Sequence, residues 1–240
     1  MNWFIPKEHG AWAMLFVPLL LGTFLYEPNG YHLLFFMSIT LLYMATSPFL
    51  VFIRKPKRRK EAQPAFLIYA VTGILLLVPV VIKFPFLFVF FIIVFPLFTL
   101  NIMFAKVKQE RAFLNDVVAI VAFSILLLMC TYIAVEEIPI TAFIVAGLSI
   151  VFFIGSVFHV KVFIRERGNS SFLRWARVYH SIWIIGPLLV GLPVISLIFS
   201  FSFLKHWLMP VKQRFKPITI GIIEIGNSLF FLGAVLVFFS

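Results

Sequence analysis

The chain has 240 residues, of which 62% are hydrophobic and 12% are charged, and its formal net charge is +11. Soluble domains carry about a quarter charged residues, so this composition excludes a water-soluble globular domain and makes lipid the solvent. A basic excess would favour nucleic acid as the partner of a soluble chain, whereas in a membrane protein it follows the positive-inside bias. We therefore expect membrane lipids, and no nucleic acid, as partners.

Reading between the charged residues predicts membrane-spanning helices in chain order, because about 20 apolar residues cross the hydrocarbon core. The predicted spans are residues 10–26, 32–53, 65–82, 84–104, 113–134, 139–163 and 218–239, with one long apolar stretch at 178–204. Gly and Pro at 186–187 and 191–193 interrupt that stretch and favour two short helices. The sequence thus predicts an all-α, polytopic membrane bundle of about nine transmembrane helices in a single domain, residues 1–240.

The distribution of Lys and Arg separates nine spans from eight. With nine spans, 19 of the 20 basic residues lie on one side and Lys83 lies on the other. With eight spans, the basic residues at 205–216 would move to the opposite side. The positive-inside rule therefore predicts a bacterial cell-membrane protein with a cytoplasmic N-terminus and an external C-terminus.

Polar side chains within the predicted spans share a depth near the cytoplasmic ends of the helices. Such groups are expensive in lipid and usually face a bundle interior or a cavity, so we expect a polar cavity open to the cytoplasm. Glu224 is the strongest candidate, because it lies about 10 Å beyond Pro217 and needs a partner at that depth. The catalytic candidates are Glu224, Asp116 and His159. The substrate-binding candidates are Lys161, Arg165, Arg167, His9, His180 and Asn101.

A structural interpretation stands beside each of these functional ones. Charged groups near helix ends lie at the interface, where they are well tolerated. The three histidines at 9, 159 and 180 fit either metal or haem ligation or hydrogen bonds between helices, and we expect no metal because no close His/Cys spacing supports one. The basic run at 54–60 is a cytoplasmic lipid anchor or, alternatively, an anion platform. The sequence specifies no cofactor.

The N-terminal residues Pro6-Lys7-Glu8-His9-Gly10-Ala11-Trp12-Ala13, followed by Pro18 and Gly22, resemble the opening motif of the YwiC-like family. The members are bacterial membrane proteins of about this length without an assigned biochemical activity. The resemblance covers the whole chain and implies the same multi-pass architecture.

The chain is also distantly similar to the UbiA superfamily of intramembrane prenyltransferases. The basic segment at 105–111 precedes span 5, a charged stretch ends span 6, and Gly226-Asn227-Ser228 lies in the last span. The resemblance implies nine helices around a cytoplasm-facing cavity. However, basic residues at 54–60 and 159–168 stand where that superfamily has Asp-rich motifs, and Mg²⁺ needs oxygen ligands. We therefore carry over no metal-binding or catalytic residues.

These features lead to one preferred function and three alternatives. The preferred function is a divergent UbiA-like protein that binds an isoprenoid, a quinone-type lipid or another anionic amphiphile in its cavity. Lys161, Arg165 and Arg167 would hold the anionic head by charge-assisted hydrogen bonds. The alternatives are a prenyl-type transferase lacking the Mg²⁺ motifs, a small transporter that couples protons through Glu224 and the histidines, and a structural or assembly factor.

Overall fold

The computed structural model of the chain describes residues 4–6 and 9–240, apart from the side chains of His9 and Pro56. The described residues form nine α-helices and a 3-10 turn between the second and third of them. The helices are α1 (His9–Phe24), α2 (Gly30–Arg54), α3 (Arg59–Lys83), α4 (Leu87–Lys106), α5 (Phe113–Val135), α6 (Ile140–Ile164), α7 (Ser170–Leu189), α8 (Pro193–Leu208) and α9 (Pro217–Phe239). The predicted all-α class is confirmed.

The long apolar stretch at 178–204 is divided into two helices, as the sequence predicts. The break falls at residues 190–192, where Gly191 adopts a left-handed conformation with φ of +77° and Pro193 opens α8. The start of α7 differs from the prediction, because Ser170 rather than residue 178 begins the helix. Asn169 caps this end by accepting a hydrogen bond from the amide of Phe172, and the charged residues that follow do not interrupt the helix.

Six of the described helices, α2 to α6 and α9, are long and apolar enough to cross a membrane. The apolar helices α1 and α8 are shorter, and α8, with 16 residues, spans about 24 Å at 1.5 Å per residue. Helices α3 and α4 expose large apolar side chains, including Ile82 at 76% and Phe95 at 68%. Such surfaces are suited to lipid rather than water, so the chain is a multi-pass membrane protein.

Among the described residues, the two largest groups of buried apolar side chains both include residues of α1. One joins α1 with α5, α6, α8 and α9, and includes the stacked rings of Phe152 and Phe231, whose centroids are 4.1 Å apart. The other joins α1 with α2 to α5. Gly22 lets α1 approach α5 closely, because a Cβ there would lie 2.3 Å from the carbonyl oxygen of Leu127.

Contacts between helix termini define two ends of the bundle. At one end, the side-chain amide of Asn29 donates to the carbonyl of Ile133, joining the start of α2 to the end of α5. At the other end, Arg54 at the end of α2 pairs with Glu110 before α5, and Lys161 near the end of α6 pairs with Asp116 near the start of α5. We call this second end the basic end.

Candidate functional site

Helices α6 to α9 bring a set of polar side chains together inside the bundle near the basic end. Each of these side chains belongs to a residue that is at most 7% exposed. We call them the buried polar cluster: Ser156, His159, His180, Ser202, Lys205, His206, Glu224 and Asn227. The cluster includes three sequence-predicted candidates and unites helices that are far apart in the chain.

The carboxylate of Glu224 lies at the centre of the cluster. Lys205 of α8 forms an ion pair with its Oε1 atom, and the hydroxyl of Ser156 on α6 donates to its Oε2 atom. Each carboxylate oxygen therefore has its own donor, from a different helix. Because an unpaired carboxylate would be strongly disfavoured in this low-dielectric interior, the contacts with Lys205 and Ser156 offset the cost of burying the side chain of Glu224.

The three histidines of the cluster form a row in space that begins next to this ion pair. The Nε2 atom of His159 is 3.8 Å from Oε1 of Glu224. On the other side of the same ring, Nδ1 of His159 is 3.2 Å from Nδ1 of His206. The rings of His206 and His180 are stacked with their centroids 4.5 Å apart. Imidazole both accepts and donates protons. A continuous row of titratable side chains therefore runs from α9 through α6 and α8 to α7.

Several polar atoms of the cluster have no hydrogen-bond partner among the described residues. They are the Nε2 atoms of His159, His180 and His206 and the side-chain nitrogen of Asn227, whose oxygen accepts from Ser202 at 2.9 Å. Buried polar atoms are nearly always paired with protein or water. These unpaired nitrogen atoms of the cluster are thus available for hydrogen bonds with a small polar ligand.

Lys161 and Asp116 form a second polar contact near the cluster. The Nζ atom of Lys161 is 3.0 Å from Oδ2 of Asp116 and donates to the carbonyl of Arg111 at 2.6 Å. Lys161 is only 5% exposed. The charge of Lys161 is therefore already paired with Asp116, and this contact joins α6 to α5.

The remaining predicted substrate-binding residues do not converge on one position. Arg165 and Arg167 are exposed, and Arg167 donates to the carbonyl of Lys212 at 3.3 Å. Asn101 donates to the carbonyl of Leu97 in its own helix at 3.0 Å. The side chain of His9 lies outside the described residues. Of the substrate-binding candidates whose side chains are described, His180 alone joins the catalytic candidates Glu224 and His159, while Asp116 lies with Lys161.

Sequence reasoning missed Lys205 and His206, which read as ordinary interfacial residues at the end of a span. A usable signal existed, because Glu224 requires a partner and α8 and α9 are adjacent in the chain. Lys205 lies in the last turn of α8 and Glu224 in the second turn of α9. Two antiparallel helices joined by residues 209–216 bring such positions to a similar depth.

The three histidines of the buried polar cluster contact one another rather than converging on one point. Within the described part of the chain, no group of three or more His, Cys, Asp or Glu side chains is arranged to hold a metal ion. The Nδ1 atoms of His159 and His206 face each other instead.

Two apolar grooves lie away from the buried polar cluster. One, of about 360 Å³, lies between α8 and α9 and is lined by residues such as Leu197 and Phe230. The other, of about 330 Å³, lies between α7 and α8 around Trp183 and Pro187. No residue of the cluster lines either groove, and each of them is almost fully buried, so the cluster does not face an open cavity in this structure.

Part of the basic run at 54–60 is engaged within the protein. Arg54 donates to both carboxylate oxygens of Glu110, at 3.2 and 2.9 Å, and to the carbonyl of Ala105. Arg58 pairs with Glu61 at 2.8 Å. A hydrogen bond from its own backbone amide, and then the bond and charge of Arg54, lower the pKa of Glu110 against an opposing effect of burial. These contacts connect the ends of α2 and α4 to the start of α5.

Comparison with known proteins places the chain in a family. The sequence profile described as YwiC-like protein matches residues 5–131. A Bacillus subtilis (strain 168) protein named "Uncharacterized protein YwiC" is 35% identical over 246 residues, covering 100% of both chains. A Haemophilus influenzae protein named "Uncharacterized protein" is 25% identical over 233 residues, covering 97% of both. No solved structure matches the chain, and the likeness to the UbiA superfamily remains a sequence-based hypothesis. The chain belongs to the YwiC-like family.

Proposed function

We propose that this protein is a proton-coupled membrane transporter in which Glu224 carries the coupled proton. The supporting observation is the position of its carboxylate, buried in the bundle, paired with Lys205 and 3.8 Å from the imidazole of His159. Ionisable groups within membrane helices are costly and mark proton relays and substrate pathways. His159 is suited to exchange a proton with Glu224, because its second nitrogen contacts His206.

A purely structural role for the ion pair is the main competitor of this proposal. Well-packed apolar side chains stabilise a buried position about as well as an ion pair does. A structural contact between α8 and α9 also requires no further titratable groups, whereas His159 lies next to this pair and contacts His206, which stacks on His180. The concentration of proton-exchanging groups around one carboxylate favours the transport function.

We place the basic end of the bundle on the cytoplasmic side of the membrane. Nine crossings with this orientation put 19 of the 20 Lys and Arg residues inside. The N-terminus is then cytoplasmic and the C-terminus external. Glu224 lies near the cytoplasmic end of α9, so its proton exchanges first with the cytoplasm in this conformation.

The proposal is tested in proteoliposomes loaded with the pH indicator pyranine. A pool of sugars, amino acids, carboxylates and inorganic anions is added outside, and solute-dependent proton entry is followed. We expect proton entry with the wild-type protein and its loss in Glu224→Gln, with Glu61→Gln, which removes an exposed carboxylate, behaving as the wild type. Equal proton entry in wild type and Glu224→Gln, with both proteins folded, would contradict the proposal.

A second function, binding of an anionic amphiphile, is favoured by one observation. Arg165 and Arg174 are exposed at the basic end together with Trp175, which is 67% exposed. Arginine heads beside an interfacial Trp suit a lipid phosphate or diphosphate group.

Native mass spectrometry of the gently purified protein tests this function. A specific isoprenoid or quinone-type lipid that is lost on Arg165→Gln and Arg167→Gln, but kept in Lys83→Gln, would support it. Bulk phospholipid alone would contradict it.

A further inference from the structure

The buried polar cluster contains a site already shaped for a carboxylate group, occupied by the chain's own Glu224. Lys205 of α8 contacts one oxygen and Ser156 of α6 donates to the other, so each oxygen is held by a different helix. His159 approaches the oxygen that Lys205 holds. A cation, a hydroxyl and an imidazole around one carboxylate are the groups by which proteins recognise carboxylate ligands.

We infer that the transported substrate is a small monocarboxylate anion, which replaces the Glu224 carboxylate on Lys205 and Ser156 when Glu224 binds a proton. This inference rests on the proposed proton-coupled function and specifies its substrate class. Protonation removes the negative charge of Glu224 and so leaves Lys205 without an anionic partner. Since an unpaired buried cation is strongly disfavoured, the protonated state attracts an anion of one charge.

Groups on the helices around Glu224 favour an anion over a cation. Helix α1 also packs on α9 and has no ionisable side chain between Gly10 and Phe24. Helix α8 presents Lys205 and His206, and α6 presents His159 and Ser156. Helix α7 adds His180, stacked on His206, and Arg177, which interacts electrostatically with His206. On α9 itself, Asn227 bears an unpaired side-chain nitrogen that is a hydrogen-bond donor. Glu224 is the one carboxylate among these groups, so once it is protonated the surroundings are cationic or hydrogen-bond donating.

The transport step balances in charge and protons. One proton binds Glu224, and one monocarboxylate anion pairs with Lys205, so the loaded protein carries the same net charge as the empty one. Release of the anion and the proton on the other side restores the Lys205–Glu224 ion pair. The Lys205–Glu224 ion pair forms whenever the site is empty. The unloaded protein can therefore return to its starting conformation without a net charge at this site in the membrane interior. The cycle is therefore an electroneutral symport of one proton with one carboxylate.

The site also limits the size and charge of the substrate. The cluster is closed and its residues are at most 7% exposed, so a large anion requires more opening than a small one. A dicarboxylate would bring a second charge without a second lysine, because Lys161 is already paired with Asp116. We therefore expect preference for a short monocarboxylate over a dicarboxylate.

Uptake of radiolabelled pyruvate into proteoliposomes tests the inference. Pyruvic acid is a strong enough acid to stay ionised, so little crosses lipid as the neutral form. With about pH 6 outside and about pH 8 inside, we expect pyruvate accumulation that excess unlabelled lactate inhibits and excess succinate does not. A potassium diffusion potential set with valinomycin should change the rate by less than about twofold, since the cycle is electroneutral.

Two variants separate proton coupling from anion binding. Glu224→Gln imitates the protonated side chain, so gradient-driven accumulation should fall about tenfold or more, and the ratio of pyruvate exchange to accumulation should rise. Lys205→Gln should lose both activities by about tenfold or more, and Lys205→Arg should restore part of the exchange because it keeps the cation. Lys83→Gln, which removes an exposed lysine at the other end of the bundle, is the matched control.

The outcomes distinguish this inference from the proposed function. Pyruvate exchange that Lys205→Gln leaves intact would overturn the carboxylate site. Proton entry that depends on Glu224 and follows a sugar or an amino acid, without pyruvate uptake, would overturn the inference and leave proton coupling in place. Failure of every solute to drive Glu224-dependent proton entry would overturn both. Thermal unfolding of each variant in detergent confirms that the protein compared is folded.

Discussion

The Nδ1 atoms of His159 and His206 lie 3.2 Å apart, so one imidazole donates through Nδ1–H and the other accepts. If His206 donates, the proton of His159 is on Nε2 and points toward Glu224, whose Oε1 atom is 3.8 Å away. If His159 donates, its Nε2 presents a lone pair to a carboxylate, which is repulsive. The first arrangement is favoured, and it makes the protonation of His159 dependent on both neighbours.

This contact predicts energetic coupling between the two histidines. We expect His159→Gln and His206→Gln each to lower the free energy of unfolding by about 1–3 kcal/mol, because each leaves a buried nitrogen unpaired. The double variant should lose less than the sum, with a coupling energy of about 1 kcal/mol. SDS-unfolding titrations in mixed micelles measure this cycle. Additive losses would show that the contact contributes nothing, and Ser200→Ala, whose hydroxyl bonds within its own helix, serves as the control.

The Lys161–Asp116 pair predicts a different response to single and double substitution. Asp116→Asn leaves the cation of Lys161, which is 5% exposed, without its anionic partner. We expect a loss of about 3 kcal/mol for this variant and recovery of most of it in Asp116→Leu/Lys161→Met, because an apolar pair removes both charges together. Unfolding of the three proteins in the same micelles checks the order. A double variant less stable than Asp116→Asn would contradict it.

The fold could be predicted from the sequence more completely than the site, because each depends on different information. Lipid requires long apolar helices with charges at their ends, and this requirement placed most helices and the break before Pro193. It misplaced the start of α7, because Arg174 and Arg177 are compatible with a helix that begins at the interface.

The site depended on helix packing, which local spacing does not encode. The sequence indicated that Glu224 needs a partner, but Lys205 is identified as that partner only when α8 and α9 are placed side by side. In the same way, Lys161 appeared available for an anionic head until α5 brought Asp116 within 3.0 Å of it. Depth along a helix was readable, whereas the face that each helix turns toward its neighbours was not.

Close packing of α1 against α5 predicts strong sensitivity at Gly22. A Cβ at this position would lie 2.3 Å from the Leu127 carbonyl oxygen and 2.7 Å from Cβ of Cys130. We expect Gly22→Ala to destabilise the protein by about 3 kcal/mol or more, because backbone atoms of α5 must move. Gly147→Ala is the matched control, since nothing lies within 4 Å of its added Cβ. Thermal unfolding in detergent compares them, and equal midpoints would contradict the predicted clash.

The Arg54–Glu110 pair predicts a small dependence of stability on pH. The pKa of Glu110 is lowered in the folded protein, first by its own backbone amide and then by Arg54. Its stabilising effect is therefore present above the pKa of an ordinary glutamate, about 4.3, and is lost as pH falls through the lowered value. Because the pair is partly exposed, we expect an effect of about 0.5 kcal/mol. Glu110→Gln should remove this part of the acid destabilisation, and an unchanged pH profile would contradict the assignment.

The proposed orientation of the bundle predicts which of two introduced cysteines reacts from outside the cell. The 240-residue sequence contains one cysteine, Cys130, which is buried, so Cys130→Ala supplies a cysteine-free background. Lys83 is the last residue of α3, at one end of the bundle, and Lys212 follows α8 at the basic end. With the basic end cytoplasmic, an impermeant maleimide should label Lys83→Cys in intact cells and Lys212→Cys only after permeabilisation. The reverse labelling pattern would show that the bundle has the opposite orientation. Labelling of both cysteines in intact cells would contradict nine spans. Two positions on the same side of the membrane are separated by an even number of crossings, whereas nine spans place five crossings between Lys83 and Lys212.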